Sequence, residues 1–126
     1  MFINFSNHKS DEWSEKQLKA AKEYGDKVID ISFPEISPSA TEEDVTLISE
    51  EYVDKILSKI TDKSMDAVMV QGEFTLSFMV TKKLLDKDIR VVSACSERVS
   101  KECVDKDGKV RKEIIFDFVK FRNYGK

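Results

Sequence analysis

The residues best suited to chemistry lie in three short polar stretches, each following an apolar run. Ser6-Asn7-His8-Lys9-Ser10 follows Phe2-Ile3-Asn4-Phe5, Gln71-Gly72-Glu73-Phe74-Thr75 follows Ala67 to Val70, and Ser96-Glu97-Arg98 follows Ile89 to Ala94. His8 is the sole histidine, and an imidazole exchanges protons near neutral pH, so it is either an acid–base group or an inert loop residue. Glu73 is either a general base or a carboxylate that steadies the start of a helix. Asn7, His8, Lys9, Gln71, Thr75 and Arg98 add hydrogen-bond donors, and Gly72 admits close approach to backbone amides. This set suits a phosphate-bearing or nucleotide ligand, and it equally suits ordinary turns.

Several chemistries drop out. Neither loop has the glycine spacing of a dinucleotide fingerprint or a phosphate loop. No serine–histidine–acid set can be placed, and one histidine among scattered carboxylates gives no metal-ligand pattern, so neither cofactor nor metal is expected. Cys95 and Cys103 have no metal-ligand spacing and sit beside apolar runs, which points to buried thiols.

The elements that must position these residues follow from periodicity. Phe2 to Phe5, Lys27 to Phe33, Asp66 to Gln71 and Ile89 to Ala94 are strand-like, the third apolar enough for burial on both sheet faces. Ser14 and Gln17 have capping-box spacing, with Trp13 and Leu18 at the staple positions, and Gly25 ends that helix. Val45, Ile48, Tyr52, Ile56 and Ile60 recur on one helical face from Thr41, and Thr75 to Leu85 forms a third helix. Strands alternating with helices imply a mostly parallel, Rossmann-like α/β sheet with flanking helices. An order of 2-1-3-4 puts the ligand edge beyond the carboxyl ends of the first and third strands. Two extended segments around Lys106-Asp107-Gly108 read as a C-terminal β-hairpin. Apolar residues on both faces of Ile114 to Phe121 call for a partner subunit.

The 126 residues suffice for one domain, 1–126, able to bury roughly two thirds of the unfolded surface. A net charge of −3 argues against a general coat for duplex DNA, where affinity rests on neutralised phosphates. No run reaches the ~18 apolar residues of a membrane span, and Met1 to Phe5 lack the basic flank of a secretion signal, so a cytoplasmic, soluble protein is expected.

Asn4-Phe5-Ser6-Asn7-His8, Val70-Gln71-Gly72-Glu73-Phe74-Thr75, Ser93-Ala94-Cys95-Ser96-Glu97-Arg98, Asp107-Gly108-Lys109 and Val119-Lys120-Phe121-Arg122-Asn123-Tyr124 together resemble the small CRISPR-associated Rossmann-fold proteins of type III antiviral systems, the sensors and ring nucleases. The resemblance implies a homodimer that binds a cyclic oligoadenylate, such as cyclic tetra-adenylate, across its two-fold axis. It further implies metal-independent cleavage by the ligand's own 2′-hydroxyl. On that reading His8, Glu73 and Arg98 are catalytic. Ser6, Asn7, Lys9, Gln71, Gly72, Phe74, Thr75 and Ser96 bind ligand: Lys9 and the amides after Gly72 hold phosphate together with Arg98, and Asn7 and Gln71 meet base or ribose. Asn7 separates Ser6 from His8, a wider spacing than the resemblance implies. Sequestration without cleavage, a nucleotide-processing enzyme such as a deoxyribosyltransferase, and a ligand-free interaction module are the alternatives.

Overall fold

The computed structural model describes residues 1–125. Five strands make one sheet in the order β2-β1-β3-β4-β5: β1 Phe2–Ser6, β2 Val28–Ser32, β3 Ala67–Gln71, β4 Arg90–Val104 and β5 Val110–Asn123. The first four run parallel, as the alternation of strands and helices requires, and β5 returns antiparallel to β4. The fold class is therefore the one expected from sequence, and the first four strands take the 2-1-3-4 order on which the placing of the ligand edge is conditional.

The helices begin where capping chemistry places them. Ser14 accepts from the Gln17 amide to open α1, Glu15–Ala21. Thr41 and Asp44 form a full capping box at α2, Glu42–Leu57, satisfying two amides that the helix itself leaves unpaired. α3 spans Phe74–Asp86. The α2 face differs from the expected one in detail: Val45, Ser49, Val53 and Ile56 are buried, and Ile60 lies past the helix end while still packing on the core.

Alternation sends β1 residues to two different layers. Ile3 and Phe5 pack with Val68, Val70, Val91 and the apolar faces of α2 and α3. Phe2 packs with Ala67, Met69, Val92 and Ala21 of α1, joined by Trp13 and Phe121. Burying a large aromatic or aliphatic side chain contributes about 1.5–3 kcal/mol, so the fully buried Phe2, Ile3 and Phe5 make β1 the energetic centre of the sheet.

Two expectations are corrected here. Ser96-Glu97-Arg98 is not a turn: β4 runs without interruption to Val104. Its pairing with β3 stops at Met69↔Val92, and the β4–β5 ladder continues alone to Val104↔Val110. With water on both faces, that stretch had no reason to show strand-like alternation of apolar residues. The cysteines are half-exposed rather than buried, because both stand on this hairpin. Desolvation and then the Glu113 carboxylate raise the Cys103 pKa, which keeps it a thiol rather than a nucleophilic thiolate.

The hairpin turn falls where Lys106-Asp107-Gly108 places it. Gly108 N–H donates to the Asp105 carbonyl and Asp105 N–H to the Lys109 carbonyl, with Gly108 at φ 78°. This is a three-residue connection closed by a left-handed glycine bulge.

Candidate functional site

The parallel register brings the two expected loops together. Ser6 and Gln71 are direct neighbours across β1 and β3, so Asn7 and Gly72 leave the same sheet edge side by side. This is the point at which the strand order reverses, where open α/β sheets hold their ligands.

A buried polar network fixes the first loop. Asn4, 1% exposed, donates from Nδ2 to the Asp30 carboxylate at 2.9 Å and to the His8 carbonyl at 2.7 Å. Ser6 Oγ donates to Asn4 Oδ1 at 2.6 Å and accepts from the His8 amide at 3.2 Å. The Asp30 carboxylate also accepts from the Ser10 amide and hydroxyl. The His8 backbone is thereby pinned while its side chain stays exposed. Gln71 anchors the other side: its Oε1 accepts from the Ala94 amide at 2.8 Å, replacing the ladder bond missing beyond Met69↔Val92.

Between these loops lies a cleft of about 460 Å³ on the α1 side of the sheet. Ser6, His8, Met69, Gln71, Ala94 and Ser96 line its base; Trp13, Ser14 and Gln17 form one wall, and Phe116 and Phe118 another. Trp13 stands edge-on to Phe2 at 5.9 Å between centroids, so it is both a packing residue and a wall of the cleft. Glu12 and Asp117 are the charged residues of the lining, which includes no lysine or arginine.

The other residues singled out from sequence divide among different places. Asn7 and Lys9 border a smaller hollow of about 120 Å³ beside Asp30 and Phe33. Glu73 is the N-cap of α3: its carboxylate accepts from the Thr75 and Leu76 amides, both at 2.9 Å, and from the Thr75 hydroxyl. The Leu76 amide, followed by the Thr75 amide and hydroxyl, outweighs desolvation and holds the Glu73 pKa below the usual glutamate value. Of the two roles open to Glu73 and Thr75, capping is the one built here. The face of Gly72 is already covered, since a Cβ there would lie 2.6 Å from three carbons of the Phe33 ring. Phe74, 89% exposed, belongs to a second groove with Phe78, Leu85 and Tyr124 along α3. Arg98 stands on the free hairpin opposite Phe116, outside the cleft lining.

Sequence reasoning missed the second wall. Phe118 and Phe121 are three residues apart yet pack on one another at 4.9 Å, because a bulge at Cys95/Ser96 inserts Val119 between them. An odd spacing between two aromatics on one strand was the available signal.

A family model matches residues 1–122, which takes in every helix and all but the last residue of β5. The chain belongs to the family described as "Uncharacterized protein MJ1673 family". No curated protein and no solved structure matches it. Within this MJ1673 family member no described helix is long and apolar enough to cross a membrane. Among the described residues no three His, Cys, Asp or Glu side chains are grouped to hold a metal ion.

Proposed function

We propose that the cleft binds an adenine-nucleotide ligand, specifically a cyclic oligoadenylate of type III CRISPR defence, and opens its ring. The observation that carries this reading is the pairing of a polar base, Ser6, His8 and Gln71, with aromatic walls, Trp13 and Phe116, at the switch-point edge. Aromatic faces hold bases by stacking, and about 460 Å³ falls within the range of small-ligand sites.

The reaction uses the ligand's own nucleophile. A ribose 2′-oxygen forms a bond to the adjacent phosphorus as the bond to the 5′-oxygen breaks, giving a 2′,3′-cyclic phosphate and a 5′-hydroxyl. His8 takes the 2′-hydroxyl proton, and water supplies one to the departing 5′-oxygen. In-line positioning alone supplies several kcal/mol of the barrier. Sequestration is the second reading, favoured by the lack of lysine and arginine in the lining, since cleavage requires groups that stabilise growing phosphate charge.

Incubating the protein with radiolabelled cyclic tetra-adenylate separates these outcomes. Linear products ending in a 2′,3′-cyclic phosphate are expected. Intact ring in a tight complex would leave sequestration, and the absence of any complex across several ring sizes would end both readings. Release of free adenine would instead identify a glycosidic-bond enzyme.

A further inference from the structure

The free part of the hairpin, Glu97 to Val104 paired with Val110 to Asp117, projects past the last β3–β4 pair as a two-stranded ribbon. Such a ribbon is marginal in water without a layer to pack on. Alternation from Ser96 and Phe118, which line the cleft, puts Arg98, Ser100, Glu102 and Val104 with Phe116, Ile114, Lys112 and Val110 on the α1 side. Phe116 and Val104 are each 71% exposed, Val110 63% and Ile114 51%, so this face carries apolar surface that the chain itself does not cover.

We infer that the ribbon is a dimer arm: its α1-side face packs on the same face of a second copy, and its tip lysines complete the partner's cleft. The inference rests on the anionic-ligand reading for the role of the lysines, and not for the dimer.

Charge complementarity selects the second copy and its register. Among the described residues neither Arg98 nor Glu102 has an ion-pair partner. In a head-to-tail two-fold stack centred on Ser100, each Arg98 meets Glu102 of the other copy, twice per dimer. Ile114 then lies on the axis, since it pairs with Ser100. A like-for-like parallel stack is prevented by α1, which stands on the same side of each sheet and would collide with its copy.

The same centre fixes where the tip lands. Val104 is as far beyond Ser100 as Ser96 is before it, so the end of each arm reaches the other copy's Ser96, a residue of the cleft. The turn there is Asp105 to Lys109, and it carries Lys106 and Lys109; Arg111 is already engaged by Asp105 at 3.6 Å. Two lysines thus arrive at a cleft whose own lining supplies no lysine or arginine and two carboxylates. The turn's own Asp107 and the cleft's Glu12 and Asp117 remain beside them, so the second copy supplies the ammonium groups that a phosphate needs without making the whole site cationic.

A residue on a two-fold axis meets its own copy, which gives a direct test. In a Cys95→Ser, Cys103→Ser background, Ser100→Cys treated with a short bis-maleimide, which spans the ~10 Å between stacked sheets, should give a covalent dimer of twice the 14.5 kDa chain, whereas Val99→Cys, on the opposite face, should not. Failure of Ser100→Cys to cross-link, or equal cross-linking at both positions, overturns the arm. Arg98→Glu should shift the sedimenting species to monomer and Arg98→Glu with Glu102→Arg should restore the dimer; no rescue overturns the register. With the dimer intact, Lys106→Ala with Lys109→Ala should weaken binding of cyclic tetra-adenylate at least tenfold, and unchanged affinity removes the lysines from the site. A wild-type dimer that binds no oligoadenylate defeats the ligand reading alone and leaves the arm standing.

Discussion

Gly72→Ala would introduce one methyl group at the edge of the candidate site, where Phe33 leaves no room for it. The new Cβ would sit 2.6 Å from Cδ2, Cε2 and Cζ of the ring, against ordinary carbon contacts of about 3.5–4.0 Å. The ring must therefore withdraw by about 1 Å, yet it is 8% exposed and stacked on Phe5 with centroids 4.7 Å apart. Gly72 is not among the positive-φ residues, so the ring contact accounts for the whole penalty. Overpacking of this kind costs about 1–3 kcal/mol. For a chain of this length about 1 kcal/mol corresponds to roughly 4 °C, so Tm should fall by about 4–12 °C. Urea unfolding of Gly72→Ala, Phe33→Leu and the double variant measures the coupling directly. Once the flat ring is replaced, the alanine should cost under about 0.5 kcal/mol, giving an interaction energy of at least about 0.5 kcal/mol. The same penalty in both backgrounds would refute the contact and reopen the Gly72 face to a ligand.

Glu73→Ala removes the α3 cap and should destabilise by about 1 kcal/mol at pH 7 in urea unfolding. Because the folded pKa of Glu73 lies below its ordinary value of 4.5, that contribution is complete above about 4.5 and is lost as pH falls through the lowered folded value, below which the variant and parent should converge. Asp66, 2% exposed, accepts from the Thr61 and Asp62 amides at 2.8 and 3.0 Å. Burial opposes its ionisation, but those amides and the Met1 amino group together hold its pKa down, so Asp66→Asn should cost about 2–3 kcal/mol at pH 7, with the difference shrinking on acidification. His8→Ala should leave Tm within about 2 °C, since its side chain is exposed, while slowing ring opening by about 10²–10⁴ in single-turnover assays.

The parts of the fold most legible in sequence were those where local chemistry and tertiary need coincide. Ser14 and Thr41 cap helices through contacts within four residues, Gly25 ends the 3-10 turn Lys22–Tyr24 into which α1 tightens past Ala21, and Ala67 to Val70 is apolar because both layers cover it. The site edge was legible for a related reason: parallel pairing makes Ser6 and Gln71 neighbours once the strand order is known. The far wall was not: the Asp107-Gly108 turn announced the β4–β5 hairpin, but which β5 side chains reach the cleft depends on the bulge at Cys95/Ser96, which shifts the register by one residue. Glu73 and Gly72 were correctly placed at the edge, but residue type could not tell that one carboxylate is occupied by its own helix or that a ring from β2's exit covers the glycine.

The bulge beside Cys95 and Ser96 has a bearing on how such a domain can diversify. It adds a single residue, Val119, to β5 and leaves both Phe118 and Phe121 on the cleft side. Bulges bend a strand and sharpen its twist. Losing that residue would straighten the exit of the hairpin while preserving which side chains look toward α1. Chain length at this one position is thus an angular adjustment, able to re-aim the projecting strands without rewriting the surface they carry.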